Sequence, residues 1–355
     1  MRSKKMAMPG SKLLLITILS FYGYFVNAQE NKIAKKPSFL DSAFIFSNAP
    51  FQSCHASSLV ELPGNKIMAV WFAGKHESNP DVSIWASINE KGVWSDPKEI
   101  GNGIQNETLR YACWNPVLFR SRNGLLFLHY KVGRSPREWW AEMKTSADNG
   151  VTWSVARKLP ASFLGPIKNK PIQLKNGDIL HPSSTETNDD KWTIHLELTD
   201  SAGNNWQKIN IDCDTFSVIQ PSILTYADGS MQLLCRSRQN VIVESWSFDN
   251  GHTWQKIKAT SLSNPNSGID AVSLRDGMKL LVYNPLPQGS ERWQSRSVLR
   301  VAMSMDGKQW KDVFTLEEHK EGEYSYPAVI QSNDGIIHIS YTANRKNIKY
   351  VRLQE

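Results

Sequence analysis

Only four cysteines (Cys54, Cys113, Cys213 and Cys235) occur among the 355 residues, and none forms the close pair that a zinc site needs. A core this large needs no disulfide, and four cysteines allow three pairings between which the sequence does not choose. The eight histidines form no His-x-His or Glu-x-x-His cluster, so neither a catalytic metal nor a cofactor is expected. His76, His129, His181, His195 and His338 read as structural or exposed. There is also no basic tract, which argues against nucleic acid as a partner.

Long apolar runs are missing beyond the start of the chain, where Arg2, Lys4, Lys5 and Lys12 precede an apolar stretch over residues 13–25 and Val26-Asn-Ala28. That pattern reads as a signal peptide over residues 1–28, too short to remain as a membrane span, and implies a secreted or periplasmic protein without stable membrane insertion. Its removal takes four basic and no acidic residues, so 41 basic residues become 37 against 34 acidic ones, and the formal charge falls from +7 to +3. Residues 29–45 read as an N-terminal extension, and residues 46–355 as one domain, expected to be a monomer.

What is plentiful is a repeat. Gly64, Gly124, Gly177, Gly229, Gly277 and Gly335 each precede a β-rich apolar run and stand 60, 53, 52, 48 and 58 residues apart. A hairpin glycine at that period fits a four-stranded antiparallel blade, and six of them predict an all-β, six-bladed β-propeller. A second motif keeps the same beat: Ser146-Ala-Asp148-Asn-Gly150-Val-Thr-Trp153 and Ser247-Phe-Asp249-Asn-Gly251-His-Thr-Trp254 are near copies, Ser304 to Trp310 is a short version, and Thr199 to Trp206 and Ser87 to Trp94 are worn ones. Asp and Gly make a tight turn and Trp packs between sheets, so these boxes read as structural.

Strand starts in a propeller converge on a central channel. Nine residues before the repeat glycines stand His55, Asn115, Lys168, Gln220, Gly268 and Tyr326, with Lys170 replacing Lys168 if Pro171 is aligned with Pro116, Pro221 and Pro327. Polar strand starts are common in any β protein, but five of six favour a ligand pocket. Seven residues after the glycines come Lys131, Ser184, Arg236 and Asn284, again rich in donors. Asp270 joins Asn115, Lys131, Lys168, Lys170 and Asn284 as a substrate-binding candidate.

The boxes resemble the Asp-box, or BNR, repeats of the sialidase superfamily, whose members are six-bladed propellers. The register of Trp71, Asn169-Lys170-Pro171, Asn264 to Gly268 and Ser325-Tyr326-Pro327 looks like a sialidase-like branch of bacteria and plants. The resemblance implies that Tyr326, in Tyr326-Pro-Ala-Val-Ile-Gln-Ser-Asn-Asp-Gly335, is a nucleophile, that Arg236 and Arg296 grip a carboxylate, and that Asp81 is the acid/base. Two departures point away from sialic acid itself: His55 stands where the family has its first arginine, and Gln220, which cannot accept a proton, where it has a glutamate.

The leading expectation is therefore an exo-acting glycoside hydrolase that removes a ulosonic or uronic acid-like sugar from an acidic oligosaccharide or polysaccharide, with Tyr326 attacking and Asp81 protonating. A lyase with His55 and Tyr326 as base and acid, and Gln220, Asn115 and the arginines neutralising a uronate, is the second. A carbohydrate-binding propeller with Trp139-Trp140 as a stacking platform is the third.

Overall fold

A computed structural model describes Met1, residues 36–289 and residues 294–355; the signal peptide read at residues 1–28 otherwise lies outside the described residues. Residues 36–355 form one compact unit of six antiparallel sheets. Blade one runs Ser53–Leu62, Lys66–Gly74 and Ser83–Glu90, with Val93–Trp94 and Lys98–Gly101 both pairing to its third strand. Blade two is Ala112–Arg120, Leu126–Gly133, Trp140–Ser146 and Arg157–Lys158; blade three is Ile172–Gln173, Ile179–Glu186, Trp192–Thr199 and Gln207–Asn210. Blade four is Val218–Thr225, Met231–Ser237, Val241–Ser247 and Lys258–Ser263; blade five is Asp270–Ser273, Lys279–Tyr283, Val298–Ser304 and Lys311–Glu318.

Blade six takes Tyr324–Gln331, Ile336–Ala343 and Asn347–Gln354 from the end of the chain and its outer strand, Ser38–Phe44, from the beginning, in antiparallel register from Ser38 opposite Gln354 to Phe44 opposite Lys349. The described part of the N-terminal extension is thus mostly a blade strand that closes the ring. Every residue of that strand is exposed, so it lacks the apolar alternation by which half-buried strands are recognised.

Apolar clusters sit between adjacent blades rather than in one central core. One joins blades one and two through Met68, Phe72, Ile84, Leu128 and Tyr130, and another joins blades three and four through Leu180, Leu196, Leu233 and Val243. The Asp boxes lock the hairpins that feed these clusters. Ser146 Oγ donates to Asp148 Oδ1 at 2.7 Å, Gly150 N–H donates to Ser146 Oγ at 2.8 Å, and Thr152 donates to Asp148 through N–H and hydroxyl at 2.9 and 2.5 Å. Ser247, Asp249, Gly251 and Thr253 repeat the pattern. Gly150 and Gly251 hold φ of 86° and 87°, where a Cβ is unfavourable. All four cysteines are free and buried.

Candidate functional site

Four innermost strands share one irregularity. Pairing slips between His55 and Ser58, Trp114 and Val117, Ile219 and Ser222, and Ser325 and Ala328. Inside those bulges Ala56, Asn115, Gln220 and Tyr326 adopt φ of 53°, 37°, 59° and 54°. A left-handed conformation costs a non-glycine residue roughly 1–2 kcal/mol, and such strain persists where the surroundings impose it, typically around functional sites. The proline that follows three of these residues has no N–H to lose, which suits an unpaired bulge position.

The bulges correct the counted register in blade one, where the equivalent residue is Ala56 and not His55. The blade-one hairpin places only residues 63–65 between paired Leu62 and Lys66, whereas blade two places residues 121–125 between Arg120 and Leu126. The shorter turn moves Gly64 one residue closer to its bulge.

Above the bulges opens a cavity of about 810 Å³, a size that suits a small-molecule ligand. Of the residues singled out from sequence, Asn115, Gln220, Arg236, Arg296 and Tyr326 line it. Arg236 ties blades four and six to the loop between blades four and five: Nη1 donates to Tyr326 Oη at 2.6 Å and to Gln220 Oε1 at 3.2 Å, and Nε donates to Asn266 Oδ1 at 2.9 Å. All three acceptors are neutral. Burial lowers the pKa of this guanidinium, with contact to Tyr326 opposing the shift.

The other cationic groups of the cavity among the described residues are paired. Glu323 accepts from Arg296 Nη1 at 2.9 Å and from Arg345 Nε at 3.0 Å, and Arg345 Nη1 also reaches Glu77 at 2.5 Å. Burial pulls the Glu323 carboxyl up, but Arg345 and Arg296 outweigh it and hold the group low. At the rim Asp190 bridges Arg137 at 2.8 Å and Arg238 at 2.5 Å. Trp114, Trp139 and Trp192 complete the wall, and Arg238 lies 3.9 Å over the Trp192 ring. Trp139 and Trp140 part company here, since Trp140 packs edge-on against Tyr111 and donates to Glu142 instead.

His55 lies behind the cavity, with its ring centroid 4.1 Å from that of Tyr326 and Nδ1 2.9 Å from Thr342 Oγ1. Burial holds its pKa well below the ordinary imidazole value, helped by the fields of Arg345, Arg296, Lys168 and Arg236, so the ring is neutral at pH 7. Gly268 faces the other side of the tyrosine, where a Cβ would stand 3.1 Å from Tyr326 Cγ.

Below the cavity, on the axis, Lys168 Nζ donates to Asn169 Oδ1 and Ile269 O, both at 3.0 Å, and to Pro327 O. Asp270 accepts from Lys170 Nζ at 2.9 Å, Ser222 Oγ at 3.0 Å and Val329 N–H at 2.8 Å. Lys168, Lys170 and Asp270 therefore bind blades three, four, five and six to one another and do not line the cavity. Lys131 Nζ donates to Pro166 O at 2.8 Å, and Asn284 Nδ2 donates to Val298 O and Tyr324 O at 2.7 and 2.8 Å; neither lines the cavity. Asp81 does not line it either. Its carboxylate accepts the Lys75 N–H at 3.1 and 3.2 Å and so caps the loop on which Glu77 reaches the rim.

Residues 65–339 match the BNR repeat-like domain. The chain belongs to the BNR repeat-like family. Within the sialidase superfamily, this BNR-repeat propeller is 25% identical over 224 residues to the anhydrosialidase of the leech Macrobdella decora, an alignment covering 56% of the chain and 29% of that protein's length. The chain thus spans less than a third of that relative. In fold it is similar to a protein of unknown function from Dyadobacter fermentans (TM-score 0.73, 15% identity, 90% of this chain and 99% of that one). It is also similar to a sialidase from Streptococcus pneumoniae (TM-score 0.67, 13% identity, 89% and 70%).

Sequence reasoning missed Glu77, Glu186, Glu323 and Arg345 of this propeller's cavity. For Glu186 a signal was present: it stands two residues after Ser184, as Arg238 does after Arg236, and alternate residues of a strand share a face. Continuing the count of seven by two finds both. Arg345 sits at the tip of the last hairpin, in a turn where Asn344 and Arg345 both have positive φ, and no periodicity points there.

Proposed function

We propose that this BNR-repeat propeller is an exported glycoside hydrolase that removes a terminal acidic sugar, ulosonic or uronic acid-like, from a glycan. The observation that carries the reading is Arg236, a buried cation whose hydrogen-bond partners are all neutral and which holds the Tyr326 hydroxyl at 2.6 Å. A substrate carboxylate at Arg236 supplies the direct ion pair that this group lacks among the described residues. Its guanidinium then also stabilises negative charge on Oη as Tyr326 bonds to the anomeric carbon. An oxygen nucleophile that is not a carboxylate suits the anomeric carbon of a ulosonic acid, which itself bears the carboxylate, since two carboxylates repel.

His55 lies behind the Tyr326 ring with one nitrogen on Thr342, which argues against it as the base of an elimination. The test is incubation with pectic, algal and sialylated acidic oligosaccharides, followed by mass and by absorbance near 235 nm. Hydrolysis adds one water and no chromophore, and Tyr326→Phe abolishes it. An unsaturated product supports a lyase instead, and binding without turnover supports a lectin.

A further inference from the structure

Among the described residues four carboxyl groups line the cavity, and three are engaged: Glu77 with Arg345, Glu323 with Arg296 and Arg345, and Asp190 with Arg137 and Arg238. Glu186 makes no side-chain hydrogen bond or ion pair among the described residues. It ends the second strand of blade three, its backbone opposite that of Trp192, on the same cavity wall as Arg236. Resting on the hydrolase reading above, we propose that Glu186 is the catalytic residue that gives a proton to the departing glycosidic oxygen and takes one from the incoming water.

The alternatives are spent elsewhere. Asp81 caps the Lys75 loop, and Gln220 is an amide that cannot exchange a proton at neutral pH. A paired carboxylate is held in its ionised form by its arginine, which is the wrong state for an acid. Burial instead raises the Glu186 carboxyl above its ordinary value. Arg236, Arg238 and Arg137 pull against that shift and Asp190 adds to it. A proton donor at neutral pH needs such an environment.

In the first step Tyr326 Oη bonds to the anomeric carbon as the glycosidic C–O bond breaks. The leaving oxygen takes the proton of Glu186, and the phenolic proton passes to solvent at the cavity mouth. In the second step water attacks the same carbon and gives its proton to the Glu186 carboxylate. Tyr326 Oη departs as the water bonds and recovers a proton from solvent, so the sum is one glycoside and one water giving the free acidic sugar and the alcohol of the leaving group.

The experiment compares wild type, Glu186→Gln and Asp81→Asn on whichever acidic oligosaccharide of the panel wild type cleaves, and on the 4-methylumbelliferyl glycoside of the same sugar. The aryl leaving group departs without a proton. Glu186→Gln, which preserves shape, should lose 100-fold or more of its kcat/KM on the oligosaccharide and less than about 10-fold of its kcat/KM on the aryl glycoside, because kcat/KM reports the first step and only the oligosaccharide needs the proton there. The alkaline limb of its kcat/KM profile should disappear, because the protonated carboxyl is the active form. Asp81→Asn should leave the oligosaccharide to aryl ratio as in wild type. Equal activity of Glu186→Gln and wild type on the oligosaccharide, or equal losses on both substrates with the limb unchanged, overturns the role of Glu186 alone. Absence of turnover by wild type on every acidic substrate overturns the hydrolase reading and this assignment with it.

Discussion

Replacing Arg236 by Met separates binding from stability in a direction that ordinary buried residues do not show. In the native protein the guanidinium makes three hydrogen bonds, to Tyr326, Gln220 and Asn266, and forms no direct ion pair with a carboxylate among the described residues. Losing them costs about 1.5–3 kcal/mol each, because the donor is charged, less where cavity water replaces the partner. Removing a desolvated cation returns a penalty of several kcal/mol. These quantities are of similar size, so the unfolding free energy of Arg236→Met should stay within about 1 kcal/mol of wild type. Binding follows another rule. A ligand carboxylate that loses its buried cationic partner forfeits about 2–5 kcal/mol, which is roughly 30- to 5000-fold in Kd. The assay is urea unfolding alongside titration with N-acetylneuraminate, galacturonate and glucuronate. Tryptophan emission is the readout, because Arg236 lies 5.7 Å from the Trp192 ring. Unchanged affinity in the variant for an acid that wild type binds, or a loss of stability above about 3 kcal/mol, refutes the idea of Arg236 as a cation kept free for ligand.

Asp270→Ala should be the opposite kind of variant. It strands the Lys170 ammonium, the Ser222 hydroxyl and the Val329 N–H on the axis and should lower the unfolding free energy by about 3–5 kcal/mol, read by urea midpoint. Burial depresses Lys131 and Lys168 to about 7, against about 10.4 for an unfolded lysine. Between these values the unfolded chain binds more protons, so stability should rise from pH 7 to 9 by about 2 kcal/mol per pH unit for the two lysines together; a flat or falling profile contradicts neutral lysines in the core. Gly268→Ala places a methyl 3.1 Å from the Tyr326 ring and should reduce turnover at least 10-fold while leaving the melting temperature within a few degrees.

The architecture was legible because the repeat glycines and Asp boxes answer to local rules, of turn geometry and of Trp packing, that hold wherever they occur. The first blade-six strand was not, since Ser38–Phe44 is exposed on both faces and carries no periodic signal.

The site was half legible, and the reason lies in the bulges. Counting from the glycines says which residues reach the channel, but not at what depth. Asn115, Gln220 and Tyr326 enter the cavity because a left-handed φ turns them out of the strand pleat. Lys168, read at the same position, belongs to a blade whose first regular strand is only Ile172–Gln173, and its ammonium turns to carbonyls on the axis. A lysine has the reach to find acceptors in either direction, and once buried it must take the direction that offers them. Arg236 is bound by the same requirement, and its described neighbours satisfy its hydrogen bonds with neutral acceptors and give its charge no direct ion pair. That missing ion pair separates a residue kept for a ligand from one kept for the fold, and only the partners, never the spacing, can show it.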